Sequence, residues 1–481
     1  MLAAALALLG CGSGCDGERA KSVEKPRLAS VVEGDGGGNP EADDGGAPVQ
    51  TGSLDAPQGS LDALFNGLAA AERGDPTGRA LMLFFGDSHT AGDSMTSRLR
   101  VTMQGRFVDA GRGLVAAGRP PTRHYYQRDV RYGVNGNWHA AVGGHRGDAE
   151  PYGICGLRVF GGAKGAQLWV ETCPDCQAGT RVAQFEILYY AAPDHGVIRY
   201  RVDNDAWQSL ATKTAPIEPP HPARAVIGVP DGAHKLTLEH GGLGAIDLFG
   251  VVMERMKPGV IVDSLGVVGR RLGSLRSWDW SIIGEQLATR DPRLVVLQYG
   301  TNEADDPDLD LEALAKYFDE TILRIRAAAP TASIMILGPP DMGAREAGKA
   351  CDRPKPSAKP AVDAGVIPEC EWKTPPVLGQ IIAVEHAAAI RNRVAFFDTF
   401  AAMGGADRMH EWVTAEPKVA YKDHVHFSDL GYQRWADLLS GSLLAEYDRW
   451  RTAQNLPPSK PFKLPPPATP APEPAPEPAA P

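Results

Sequence analysis

The run Leu81-Met-Leu-Phe-Phe-Gly86-Asp87-Ser88-His89-Thr-Ala-Gly92-Asp93-Ser94 decides how the chain folds. Its apolar start predicts a buried strand of a parallel sheet, and Gly86 lets the chain turn. From Ser94, the stretch Ser-Met-Thr-Ser-Arg-Leu-Arg-Val-Thr-Met-Gln predicts a helix capped by Asp93 or Ser94. Ser88 then falls just beyond the carboxyl end of a strand, where open α/β sheets place their ligands. Unpaired N–H groups at a helix start lie close to its hydroxyl and favour developing negative charge. That suits a nucleophile, although a capping serine in a βα loop explains this stretch equally well.

Two later stretches shift the balance. Leu294-Val-Val-Leu-Gln-Tyr-Gly300-Thr301-Asn302-Glu303 is another apolar strand running into a glycine turn and an amide. Tyr421-Lys-Asp423-His424-Val-His426-Phe-Ser-Asp-Leu-Gly431 brings a carboxylate and an imidazole three residues apart. In this order, on predicted strand ends, the three stretches resemble the SGNH (GDSL-type) esterase family. Its first block is similar to Gly86-Asp87-Ser88, its third to Gly300-Thr301-Asn302-Glu303, and its fifth to Asp423-x-x-His426. The resemblance implies a three-layer α/β/α, flavodoxin-like parallel sheet.

The chemistry follows from the residue types. Ser88 needs a base within hydrogen-bond reach, and His426 can take its proton and later return it to a leaving group. Asp423 can hold the imidazole tautomer and stabilise its charged form. His424, beside Asp423, is expected to diverge as a solvated loop histidine. The resemblance assigns the oxyanion donors to the Ser88 N–H, a second-block glycine N–H and the Asn302 amide; Asn302 also reads unaided as a donor at a strand end. The second block departs from the family pattern, since Gly266-Val267-Val268-Gly269 is apolar where an Asn or Ser usually precedes the glycine. Gly269 is assigned first and Gly266 second. Asp87 is expected to bond loop backbone. Glu303 and Asp93 suggest a carboxylate pair for glycosidic cleavage, but capping or turn roles are favoured for both.

Between the first and second blocks the texture changes. Val197-Ile-Arg-Tyr-Arg-Val puts Ile198, Tyr200 and Val202 on one face and Arg199 and Arg201 on the other. Phe185-Glu-Ile-Leu-Tyr-Tyr, His234-Lys-Leu-Thr-Leu-Glu-His and Ile246-Asp-Leu-Phe-Gly-Val-Val-Met supply further short strands. Together they predict a β-sandwich or jelly-roll domain inserted at residues 122–258. The hydrolase occupies 58–121 and 259–452. Trp169, Trp207, Tyr189 and Tyr190 are candidates for a sugar platform, with core packing expected for most of them.

The ends differ again. Met1-Leu-Ala-Ala-Ala-Leu-Ala-Leu-Leu-Gly-Cys11 is similar to a bacterial lipoprotein signal (residues 1–11) with Cys11 as the lipidated residue, although no positive charge precedes Leu2. Residues 12–57, rich in Gly, Asp and Ala, are expected to form a flexible tether, and 453–481 a Pro-rich tail. In an exported protein Cys351 and Cys370 are expected to form a disulfide, as are Cys173 and Cys176; Cys155 is left over. Of the 481 residues, Lys and Arg number 49 against 59 Asp and Glu, a formal net charge of −10 that argues against a nucleic-acid partner. No metal or cofactor is expected, and membrane contact only through the lipid anchor.

Together these features resemble the peptidoglycan O-acetylesterase branch of the family. That implies hydrolysis of acetyl esters on a cell-envelope glycan, or of another small ester, by a serine esterase facing the periplasm or cell surface. An acetyltransferase, a general carboxylesterase or lipase, or an inactive glycan-binding lipoprotein are the alternatives.

Overall fold

The computed structural model describes residues 53–119, 126–144, 151–345, 372–459 and 462. The expected signal with Cys11, most of the tether, Cys351 and Cys370, and most of the Pro-rich tail lie outside the described residues.

A short strand β1 (Leu54–Asp55) and helix α1 (Asp62–Arg73) lead into β2 (Arg79–Gly86), α2 (Ser88–Ala91) and α3 (Ser94–Phe107). Ten strands follow, β3 (Gly111–Val115), β4 (Arg131–Asn135), β5 (Trp138–Val142), β6 (Leu157–Gly161), β7 (Gln167–Glu171), β8 (Val182–Ala191), β9 (Val197–Val202), β10 (Gln208–Ala211), β11 (His221–Gly232) and β12 (Lys235–His240). After β13 (Asp247–Glu254) the α/β alternation resumes with β14 (Gly259–Gly266), α4 (Trp280–Arg290), β15 (Leu294–Gln298), α5 (Thr301–Ala304), α6 (Leu311–Ala328) and β16 (Ser333–Leu337). A two-stranded ribbon, β17 (Ala344–Arg345) and β18 (Trp372–Lys373), precedes α7 (Pro376–Asn392), β19 (Ala395–Phe397), α8 (Thr399–Met403), α9 (Arg408–Thr414) and the long α10 (Asp429–Ala453).

The central sheet has the order β1-β19-β16-β15-β2-β14. All its pairings are parallel except β1 with β19, so the last residues of the expected tether form an antiparallel edge. Alternation along the strands divides the core. Met82, Phe84, Val260 and Val296 pack under α1, α3 and α10, beside Leu64, Leu99 and Trp435. Leu83, Phe85, Val295 and Leu297 face α4, α6 and α7, where Ile283, Phe318 and Ile381 meet them. Burying each such side chain contributes roughly 1.5–3 kcal/mol, which explains why apolar runs became strands covered on both faces.

The insertion is two antiparallel sheets, β10-β9-β12-β7-β4 and β11-β8-β13-β6-β5, with β3 paired to β13. The strand Gly111–Val115 therefore belongs to the sandwich, although the sequence placed everything up to residue 121 in the hydrolase. Its partner lies about 140 residues away, beyond the reach of local pattern. The sandwich core, with Phe185, Ile187, Leu236 and Val251, is continuous with the α4/α6 side of the hydrolase core. Cys173 and Cys176 are disulfide-bonded, and Cys155 is a buried free thiol donating to the Phe249 carbonyl. Among the described residues no helix is long and apolar enough to cross a membrane.

Candidate active site

Strands β14, β2 and β15 are neighbours in register, Gly266 beside Gly86 and Gly86 beside Gln298. Their carboxyl ends therefore bring the first three motif blocks into one crevice. At the end of β2 the chain turns directly into α2, with Asp87 at the cap position and its Oδ1 accepting the His89 N–H at 2.9 Å. That is the backbone-holding role expected for Asp87. Glycine is required beneath this turn: a Cβ on Gly266 would stand 2.1 Å from the Ala91 nitrogen. Ser88 is the first residue of α2, so its N–H has no acceptor within the helix.

The loop before α10 supplies the other half. His426 Nε2 lies 2.9 Å from Ser88 Oγ, and His426 Nδ1 lies 2.8 Å from Asp423 Oδ2. Asp423 Oδ1 accepts the N–H groups of Val425 and His426, each at 3.0 Å, which closes the loop on itself. An ionised carboxylate only accepts, so Nδ1 carries the proton and Nε2 is left to accept from the serine hydroxyl. The Asp423 hydrogen bond raises the pKa of His426 above its ordinary value, against the opposing pull of burial. Partial burial pushes Asp423 up, but the His426 ring and the two backbone donors outweigh it and bring the carboxyl down to about 2.

Asn302 sits in α5, just past β15. Its Nδ2 donates to the Arg270 carbonyl at 3.0 Å, and Arg271 Nε donates back to the Asn302 carbonyl at 3.0 Å. Asn302 is thereby tied to the residue that follows Gly269, and the amide keeps a second N–H for another acceptor. Gly269 lies in the turn after β14 with φ 71°, and the space around it is open. Gly266 instead packs against α2. Glu303 Oε2 accepts the Gly300 N–H at 2.9 Å and Oε1 the Leu272 N–H at 2.7 Å, so it clamps the second block to the third. Asp93 accepts from Arg112 at 2.6 Å, Arg100 at 3.2 Å and the Arg128 N–H at 2.8 Å. Glu303 keeps the capping role favoured from the sequence, whereas Asp93 stands at the cap position of α3 without a side-chain cap bond and its carboxylate is instead held by the buried Arg100 and Arg112. Arg128 also pairs with Asp429 at the start of α10, so the insertion is fastened to the serine side and the histidine side of the crevice.

Three features escaped sequence reasoning. His89 is fully buried, with Nδ1 3.0 Å from the Tyr432 hydroxyl and its ring 5.4 Å from that of His426. Burial, and then the His426 charge, push its pKa down to about 3, so it remains a neutral wall behind His426. Its place directly after Ser88 was the available signal. His424 is a correction: it is 4% exposed rather than solvated. Its positive φ of 57° turns the ring inward, stacked 3.5 Å from Trp372 and bonded through Nε2 to His410 Nδ1 at 3.0 Å. Glu385 on α7 is the third: fully buried, with neither carboxyl oxygen hydrogen-bonded, and desolvation pushes its pKa well up. Beside Asn302, a cleft of about 400 Å³ is lined by Arg271, Glu303, Asp306 and Tyr317. Among the described residues no group of His, Cys, Asp or Glu is arranged to hold a metal ion.

Residues 247–434 match the GDSL-like lipase/acylhydrolase family. The chain carries an SGNH-type acylhydrolase domain. The match contains Gly269, Asn302, Asp423 and His426; Ser88 lies outside it, on the far side of the insertion. In fold, this acylhydrolase is similar to a solved peptidoglycan O-acetylesterase, with a TM-score of 0.65 at 23% identity over 82% of this chain and 99% of that one. More distant are a family two carbohydrate esterase from Clostridium thermocellum in complex with cellohexaose and a salicylyl-acyltransferase from a tetracycline biosynthetic pathway. The first has a TM-score of 0.25 at 12% identity over 64% of this chain and 98% of its own. The second has a TM-score of 0.29 at 14% identity over 69% and 98%. Neither likeness is close enough to carry an argument. No curated protein matches the chain.

Proposed function

We propose that this acylhydrolase is a serine esterase that removes acetyl groups from an O-acetylated glycan of the bacterial cell envelope, with peptidoglycan the first substrate to test. The observation that carries the reading is the unbroken hydrogen-bond chain from Ser88 Oγ through His426 to Asp423, at 2.9 and 2.8 Å. In this reading Ser88 Oγ attacks the acetyl carbonyl carbon while His426 Nε2 takes its proton. The tetrahedral oxyanion is held by the Ser88 N–H, the Gly269 N–H and the free Asn302 N–H. Collapse breaks the ester bond and His426 returns the proton to the sugar oxygen, leaving acetyl-Ser88. Water, deprotonated by His426, releases acetate and restores the serine. Asp423 holds the imidazole tautomer and balances its transient charge throughout.

The choice of glycan is supported by the fold likeness to a peptidoglycan O-acetylesterase. We further propose that Cys11 is lipidated and tethers the enzyme to a membrane. Incorporation of an alkyne-labelled fatty acid, lost in Cys11→Ser, checks that point. The function is tested by hydrolysis of 4-nitrophenyl acetate and by acetate release from O-acetylated peptidoglycan. Wild type is expected to turn over both, and folded Ser88→Ala and His426→Ala variants to fall to background. Equal rates in all three proteins would remove the triad; esterase activity without acetate release from the polymer would remove the substrate.

A further inference from the structure

The outer face of the sheet β10-β9-β12-β7-β4 is far richer in chemistry than a solvated sandwich face needs to be. Ile198 and Val202 of β9 point into the core, which turns Arg201 outward. In the same way Leu168 and Val170 of β7 are buried and Trp169 between them faces out. Register sets Thr237 opposite both Arg201 and Trp169. With Asn135 and Lys235 these residues surround a concavity of about 280 Å³. Gly133 lies opposite Trp169, and a Cβ there would stand 2.5 Å from the indole, so the ring lies flat across β4 as a floor.

Two cations stand over this floor and its rim. Lys235 Nζ is 4.2 Å from the centroid of the Trp169 ring, and the Arg201 guanidinium is 4.7 Å from that of Trp207. Two of the nearby carboxylates are already engaged, and Glu171, opposite Lys235 in register, forms no ion pair with it among the described residues. Glu239 accepts from Arg199 at 2.6 Å and from Gln167 at 2.8 Å. Asp203 accepts the Lys235 N–H at 2.8 Å and bonds the His234 ring at 2.7 Å. Among the described residues neither Lys235 nor Arg201 pairs with a carboxylate, and the buried Arg201 Nε has no hydrogen-bond partner. A buried N–H without an acceptor is costly, and a guanidinium beside an ammonium completes itself best with a carboxylate.

We infer that this concavity is a second, non-catalytic site that binds the carboxylate of an acidic sugar, with the Trp169 indole as its floor and Lys235 and Arg201 as its anion clamp. The volume suits a single sugar unit. The Asn135 amide and Thr237 hydroxyl offer neutral partners for hydroxyls, and the overall negative charge of the chain disfavours a polyphosphate strand. The inference does not depend on the esterase reading, because none of Ser88, His426 or Asn302 belongs to this sheet.

Titration of the full chain with N-acetylmuramic acid, glucuronic acid and N-acetylglucosamine, followed by calorimetry at low and high salt, tests it. The two acidic sugars are expected to bind at least about tenfold more tightly than the neutral one and to weaken with salt. Lys235→Gln with Arg201→Gln, which keeps the side-chain bulk, is expected to abolish that preference while 4-nitrophenyl acetate hydrolysis stays unchanged. Ser88→Ala is expected to bind as wild type does. Equal affinity for the neutral sugar, wild-type binding by the double variant, or no binding of either acidic sugar would each overturn the site. Sulfate binding as tightly as the acidic sugars would overturn its assignment to a sugar.

Discussion

The two sides of the catalytic crevice each carry an aspartate, and their surroundings drive the two in opposite directions. On the serine side, Asp87 is sealed under α2 with one backbone donor and Glu303 close by; desolvation raises it to about 7. On the histidine side, the half-exposed Asp423 has two backbone donors and an imidazole, and falls to about 2. The residue type is the same and the chemistry is not. A carboxyl that must stabilise a transient imidazolium has to stay charged, which requires donors and some water. A carboxyl that only holds a turn needs a single donor and tolerates burial. The serine side is therefore rigid and built from buried groups, whereas the histidine side is a loop ordered by its own hydrogen bonds.

The largest effect that would break this contrast is on the histidine side. Asp423→Asn keeps the shape but can present an N–H to His426 Nδ1, reversing the tautomer. A loss of about 10⁴ in kcat is expected, with little change in melting temperature. A loss under tenfold would mean that Asp423 is a loop brace like Asp87. Next in size is Asn302→Ala, which removes one of the proposed oxyanion donors and should lower kcat by about 10²–10³ with KM nearly unchanged. If KM rises and kcat holds, Asn302 binds the substrate rather than the transition state.

Much of this site was legible in the sequence because its parts are short and local. The apolar runs Leu81–Phe85 and Leu294–Leu297 became parallel strands, since burial on both faces leaves no polar alternation. Asp423 and His426 are three residues apart, so one turn presents both. What stayed hidden depends on partners distant in sequence. His89 owes its burial to Tyr432 and Trp435, over three hundred residues on, and His424 to Trp372 and His410. The same holds for Gly111–Val115, which joins the sandwich only through β13. The outward Arg201 was correctly placed by alternation, but that Glu239 would pair with Arg199 rather than Arg201 depends on the register of β9 against β12.

The histidine side also titrates in the working range. Catalysis needs neutral His426, so kcat/KM should be flat at high pH and fall tenfold per unit below the pKa. Because the Asp423 hydrogen bond raises that pKa above the ordinary 6.5, the inflection is expected above this value. In Asp423→Asn the residual activity should show the inflection displaced downward. An inflection that stays in place would assign it to another group.

The smallest effect on catalysis belongs to the serine side, and its pH dependence has the opposite sign. Asp87 has a folded pKa of about 7 against a reference of 3.8, so the folded state holds its proton more tightly than the unfolded chain. Stability from this group is fully present below about pH 4 and is lost as pH rises through about 7. Asp87→Asn cannot ionise, and its Oδ1 still accepts the His89 N–H. The adjacent Gln298 amide can flip to receive the new N–H, since Thr90 Oγ1, which now donates to Gln298 Oε1, can equally accept. The variant should match wild type near pH 3.5 and exceed it near pH 8.5 by an amount on the order of 4 kcal/mol, the loss that the raised pKa implies between about pH 4 and 7. Ester hydrolysis should stay within about tenfold of wild type, because Asp87 touches neither Ser88 Oγ nor His426. Denaturant unfolding at the two pH values measures the difference directly. If the variant is less stable at both, the Asp87 carboxylate is charged and paired in the folded protein, and the two sides of the crevice are built alike.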